Sequence, residues 1–309
     1  MATDITLRLA PGCATAADPG GAGAAASAAD RALAVFGEVE RACTRFGGTS
    51  PLARANDAPS AWHRVPPLCL EAVREAWCAY EETGGRFDPR VHDDLIALGY
   101  DRSLPFADGQ VVVDRHAPRR RLARPPWRPR FRTARRELCL GGAPVDLGGI
   151  GKGLALRWAA DVLRPTAPDF VLNAGGDCLC AGAADDGAPW RVGVEDPAGG
   201  TEPVAVLGLT ETASATSSVR VRHWEAGGVA VHHLIDPATG LPGGQGLGAV
   251  TVVAPDPARA EVWSKALFLW GATGIARQAA RRGLAALWVA ADGTLGTSPA
   301  MERWVLWTR

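Results

Sequence analysis

Four short stretches concentrate the residues that could do chemistry. The first is VDLGGIGKGLALRWAADVLR, Val145–Arg164, where Gly148, Gly149, Gly151 and Gly153 surround Lys152 and follow Asp146. Glycine lets backbone N–H groups approach a ligand closely, and the start of a helix favours negative charge, so a phosphate cradle is the chemistry on offer. A plain strand–helix corner would look the same in isolation. The stretch is no Walker loop, because Gly153 stands where Ser or Thr would follow the lysine, and it lacks the GxGxxG order. The second is NAGGD, where Gly175 and Gly176 would admit a ligand to the backbone and Asp177 would position it. The third is Ala215–Pro242. There His232 and His233 alternate across a strand, so only one faces a given side, and Asp236 opens a turn. A histidine three residues before an aspartate is either a general base beside its orienter or a satisfied strand-end histidine. The fourth is ARAEVWSKALFLWG, which puts Glu261, Ser264 and Lys265 on one helical face with Val262, Ala266, Leu269 and Trp270 opposite. Such a polar face is ordinarily the solvated one.

The elements that must hold these residues follow from periodicity. Thr3–Leu9 alternates like a strand, and LCLGGAPV reads as a strand that hands over to a helix after Lys152, with Leu154, Trp158 and Val162 at four-residue spacing. Helices are expected from about Asp30, over Leu70–Glu82, from Pro257 to Leu269 and from Gly274 to Arg282. Strands are expected at Phe170–Asp177, Arg191–Val194, Val204–Leu209, Val229–Ile235, Ala249–Val253 and Leu284–Val289. Because the strands cluster instead of alternating with helices, the expected class is α+β with largely antiparallel sheets packed with helices. No polar linker divides the chain, so residues 1–309 read as one domain. Residues 11–28 and 115–136 read as loops or insertions, and TRFGGTSPLARAN (Thr44–Asn56) as a loop.

Composition narrows the function classes. Formal net charge is zero, which offers no electrostatic case for nucleic acid or an anionic membrane as partner. The ten arginines of residues 115–136 suit a nucleic-acid arm, but a solvated hairpin or loop in an arginine-biased chain is the preferred reading. Only two of 33 basic residues are lysines, Lys152 and Lys265, so each is a candidate for a compact ammonium that a guanidinium cannot replace. The seven cysteines are scattered without metal-ligand spacing, as in a protein that keeps core thiols reduced. No apolar stretch approaches the length of a membrane span, and the N-terminus lacks a signal-peptide pattern; the expected location is the cytoplasm.

The order of the four stretches resembles the ApbE family of flavin transferases. An acid–glycine–lysine turn precedes N-x-GGD, then T-S-S with HH-x-IDP-x-TG-x-P, then V-T-V-V-A-P entering an A-E-x-x-S-K helix. Upstream, TRFGGTSPLARAN is similar to the family's S-x-x-x-x-x-S-E-L-x-x-x-N loop, GGRFDP to its G-G-x-F-D-P, and MAT to its M-G-T. The resemblance implies an ApbE-like fold and an FAD:protein FMN transferase. Such an enzyme moves FMN from FAD to a Thr or Ser hydroxyl of an acceptor protein and releases AMP. It implies FAD contacts at Asp88, Asp146, Gly149, Lys152, Gly175, Gly176, Asp177, Ser217 and His233, with His233 assisting the attacking hydroxyl and Asp236 holding its loop. It also implies Mg²⁺ at the Gly149 carbonyl, Glu261 and Ser264, and a monomer or homodimer.

The departures from the pattern concern that metal. Many members read A-D-x-x-A/D-T on the fourth stretch, whereas this chain has Glu261 for the Asp and Lys265 for the Thr. A protonated lysine donates hydrogen bonds and cannot ligate a cation. Either Lys265 places an ammonium where the metal would sit, or the site is weakened and the protein is a flavin-binding or FAD-hydrolysing relative. Pro51, where Glu is usual, and Arg157, where Asp is common, point the same way.

Overall fold

Strands joined by short turns pair most readily with their chain neighbours; among the described residues three of the six pairs in the main sheet do so, and the other three skip strands that belong to smaller sheets. The computed structural model describes residues 3–10, 19–106, 111–114 and 124–309. Seven strands lie side by side in chain order, each pair antiparallel: Ile5–Leu9 (β1), Phe170–Ala174 (β2), Asp177–Ala181 (β3), Thr212–Ser218 (β4), Leu247–Ala254 (β5), Ala285–Ala290 (β6) and Leu295–Thr297 (β7). The helices are Pro19–Cys43 (α1), Pro51–Asp57 (α2), Pro67–Glu82 (α3), His92–Ala97 (α4), Gly151–Leu163 (α5), Pro257–Phe268 (α6) and Gly271–Arg282 (α7). This is the α+β class with antiparallel sheets that the strand clustering predicts.

Alternation of side chains along each strand divides the sheet into two faces. Ile5, Leu7, Leu172, Leu179 and Ala213 turn one way and join the apolar side chains of α1 and α5 in the largest core; Val250, Val252 and Ala286 join those of α6 and α7. On the opposite face, Val253, Leu287 and Val289 meet a small sheet of Trp190–Val194, Ala205–Leu209 and Val305–Thr308. Over β1 to β4 that second face carries polar residues, among them Thr6, Arg8, Asn173 and Thr216, which line an open cleft.

Several expectations need correction. Residues 19–28 belong to α1, because Ala25 is buried and Ala28 and Ala32 sit in the core that α1 shares with α5; residues 11–18 lie outside the described residues. Part of the expected Thr44–Asn56 loop is α2, started by Pro51 and capped where the Ser50 hydroxyl accepts a hydrogen bond from the Ala53 N–H at 2.9 Å. Residues 115–123 are not described; 124–136 are mostly exposed and run into a hairpin, as expected, though two of their side chains are buried. Trp127 is buried and donates to the Leu140 carbonyl at 2.7 Å, while Arg130–Arg132 pairs with Glu137–Cys139. The guanidinium groups of Arg130 and Arg132 stack over Trp62. Strand β4 escapes periodicity altogether. Its small Thr, Ala and Ser side chains suit the close packing of α6, which leaves no apolar alternation to read. Among the described residues no helix is long and apolar enough to cross a membrane.

Helices α5 and α6 touch at a glycine. A Cβ on Gly153 would lie 2.4 Å from the Ala258 Cα and 2.5 Å from the Pro257 carbonyl oxygen. The change Gly153→Ala should therefore cost about 1–3 kcal/mol of unfolding free energy in urea titration, as overpacking does. Gly151→Ala, at a helical position with open space, should be neutral or slightly stabilising.

Candidate active site

The close α5–α6 contact sets Glu261 of α6 against the first turn of α5. Its side chain is fully buried, and Oε2 accepts the Gly153 N–H at 2.8 Å. Oε1 lies 3.4 Å from the Lys152 ammonium and 3.2 Å from that of Lys265. Lys152 also pairs with Asp177, whose other oxygen accepts the Thr216 N–H at 3.0 Å. Two acids and two lysines thus alternate: Asp177, Lys152, Glu261, Lys265. Burial works against ionisation of Glu261, but the two ammonium groups outweigh it and hold its pKa below the ordinary value. Burial pushes both lysines down, Lys152 to about 8, opposed by Glu261.

Two cavities meet at this charge row. One, of about 220 Å³, has apolar walls that include Phe46, Phe87, Leu95, Tyr100 and Leu269. The Arg45 guanidinium lies over the Phe46 ring at 4.2 Å, and its Nε donates to Asp146 Oδ2 at 2.5 Å. Arg45 Nη2 is buried without a hydrogen-bond partner among the described residues, a donor that a ligand atom would satisfy. The other cavity, of about 740 Å³, is the polar cleft on the helix-free face of the main sheet. Thr3, Gly148, Lys152, Arg222, His233 and Lys265 line both. The lysines face the cavities, whereas Asp177 and Glu261 behind them line neither.

His233 stands in the shared wall with its Nδ1 3.2 Å from the Arg222 carbonyl oxygen. A carbonyl only accepts, so Nδ1 carries the hydrogen and Nε2 is left with its lone pair. Burial, then the neighbouring cations Arg222 and Lys265, drive the ring's pKa well below its usual value. The imidazole is therefore neutral at neutral pH, with its Nε2 lone pair unprotonated. His232 lines neither cavity: half-buried and edge-on to Phe268, it has its pKa lowered to about 4, chiefly by burial.

The residues singled out from sequence fall into two groups. Asp146, Gly149, Lys152 and His233 line the first cavity, and Gly175, Gly176 and Ser217 line the second. Asp88 also lies at the first cavity, but its carboxylate is forked by Arg90 and serves the local fold. Asp236 lines neither cavity; it holds the turn, accepting the Ala238 N–H at 2.9 Å. The Ser217 and Ser264 hydroxyls bond each other at 2.8 Å. The face carrying Glu261 and Ser264 is buried, not solvated, because it seats against α5 and β4. Arg45 and Arg222 were not singled out, since nothing separates them locally from the other arginines of the chain.

The comparison with known proteins decides the family. The ApbE family model matches residues 1–288. The chain belongs to the ApbE family. A Treponema pallidum protein named FAD:protein FMN transferase is 30% identical over 239 residues, 71% of this chain and 63% of that protein. A Rhodobacter capsulatus protein of the same name is 36% identical over 161 residues, 51% of this chain and 30% of that protein. The matched segments thus cover less than two thirds of these relatives' own lengths. The crystal structure of the Thermotoga maritima ApbE protein superposes with a TM-score of 0.76 at 23% identity, covering 97% of this chain and 98% of that one. The flavin transferase ApbE from Vibrio cholerae gives 0.72 at 22%, with 98% and 96% covered. These likenesses establish the ApbE-like fold.

Two measurements test the charge row. Glu261→Gln should lower unfolding free energy by about 3 kcal/mol in urea titration, because it leaves buried ammonium groups short of a carboxylate. An anionic ligand that needs the Lys152 ammonium should bind with constant Kd below pH 8. Above that the free protein must take up a proton to bind, so Kd should rise by up to about tenfold per pH unit. Isothermal titration with FAD from pH 6.5 to 9.5 reads this directly.

Proposed function

We propose that this ApbE-family chain transfers FMN from FAD to a Thr or Ser hydroxyl of an acceptor protein, releasing AMP. The observation that carries the proposal is the wall of Gly148, Lys152, Arg222, His233 and Lys265 shared by two cavities of different character. FAD has a planar ring system at each end and a pyrophosphate in the middle. One ring system fits the aromatic cavity, the pyrophosphate falls at the cationic wall, and the remainder extends into the polar cleft. The names of the matched relatives, FAD:protein FMN transferase, agree with that assignment.

The chemistry then asks little covalent help of the enzyme. The acceptor oxygen attacks the FMN phosphorus, a P–O bond forms, and the bond to the AMP phosphate oxygen breaks. His233 Nε2 takes the hydroxyl proton, with Nδ1–H held by the Arg222 carbonyl. Lys152, Lys265 and Arg222 offset charge on the pyrophosphate as AMP leaves, the positioning and neutralisation that phosphoryl transfer requires. The acceptor reaches the site through the polar cleft, the larger in volume of the two cavities. Mg²⁺, expected at Gly149, Glu261 and Ser264, does not suit the donors present. Glu261 is engaged by two ammonium groups and an N–H, and the Ser264 hydroxyl is bonded to Ser217 and to the Glu261 carbonyl.

Incubation with FAD and an acceptor protein should yield AMP and flavin that stays on the acceptor in a denaturing gel. His233→Ala should slow transfer by about 10²–10⁴-fold with FAD affinity retained, as loss of a general base does. AMP appearing with free FMN and no labelled acceptor would instead identify a hydrolase.

A further inference from the structure

We propose that Lys265 is a built-in substitute for a divalent cation, so that the Lys152–Lys265 ammonium pair neutralises the FAD phosphates without bound metal. The inference rests on the FAD reading given above. A hard cation such as Mg²⁺ demands near-octahedral oxygen donors, some of them carboxylates. Among the described residues no group of three His, Cys, Asp or Glu side chains could hold one. More telling is what occupies the space between the expected donors. The stem of Lys265 lies across Gly149, close enough that a Cβ there would sit 3.3 Å from Cδ and 3.4 Å from Cε. Its ammonium is 3.2 Å from Glu261 Oε1 and 3.4 Å from the Glu261 carbonyl oxygen.

Two expected metal contacts, Gly149 and Glu261, thus enclose the lysine. A divalent ion entering there would meet one ammonium directly and a second, Lys152, across the same carboxylate. Like charges at that distance in a buried setting repel strongly. Together the two lysines carry the formal charge of one divalent ion and donate to phosphate oxygens instead of accepting from them. Such a counter-charge cannot be removed by a chelator.

The test uses the purified full chain with FAD and, as metal probe, Mn²⁺ followed by electron paramagnetic resonance. Flavin fluorescence should give the same FAD Kd, within about twofold, in EDTA and in Mg²⁺, and no Mn²⁺ should bind stoichiometrically in the presence of FAD. Lys265→Thr should weaken FAD binding in EDTA by about ten- to hundredfold, the loss of one charge-assisted contact, and regain it in Mg²⁺ with one Mn²⁺ bound per chain. A wild-type Kd that worsens tenfold or more on chelation, or one Mn²⁺ per wild-type chain, overturns the inference while leaving the FAD reading standing. So does a Lys265→Thr protein that keeps full FAD affinity in EDTA. Absence of FAD binding in either medium overturns both. If circular dichroism shows the variant unfolded, the wild-type Mn²⁺ and chelator titrations decide alone.

Discussion

The buried carboxylate of Glu261 is the interaction on which the rest of the structure depends. A lone carboxylate with no exposure would be untenable, and this one is held by an N–H from the first turn of α5 and by two ammonium groups. Because its partners lie on α5 and α6 together, the same contact fixes the helix pair and aims the lysines outward. Packing and charge are therefore one constraint. Gly153 is the steric side of it: only a residue without a Cβ lets α6 come near enough for the carboxylate to reach the backbone.

The main sheet separates what is built from what is used. Its helix face carries the apolar side chains and the acid–lysine row. Its other face is apolar only where the small sheet covers it, and polar over β1 to β4. The cationic wall stands where the two regions meet. A substrate with apolar ends and a charged centre matches that division, and a neutral imidazole placed in the same wall gives a proton somewhere to go.

Much of this was legible from residues alone, and the exceptions have physical reasons. The turn at Gly175–Gly176 and the helix start after the Gly148–Gly149 turn were legible because turn chemistry is local, whereas the expected strand Val229–Ile235 ends at His232 and leaves His233 outside it, so strand alternation does not separate the two histidines. The depth of Glu261 was not legible. Its spacing with Ser264 and Lys265 fits a solvated helix face equally well, and it is the approach of α5 and β4 that buries it. Strand β4 was missed because tight packing selected small side chains, erasing the apolar pattern that marks a strand. The start of α1 was missed for the opposite reason, since an alanine-rich run is compatible with either loop or helix until a partner helix is known. Arg45 carries no local mark; its role comes from a residue distant in the chain, Asp146.

The pairing of β1 with β2 reaches beyond the finished molecule. Leu9 aligns with Phe170, so a single antiparallel pair brackets the whole excursion that contains α1 to α5. Closing so long a loop is entropically slow, and β1 must wait for its neighbour to be synthesised. During that wait β1 is without the neighbour it will pair with, and the helices between the two strands can pack before the sheet is complete. Thr3, which borders both cavities, is delivered by that same strand. The cavity walls that Thr3 borders are thus completed only once β2 has been made.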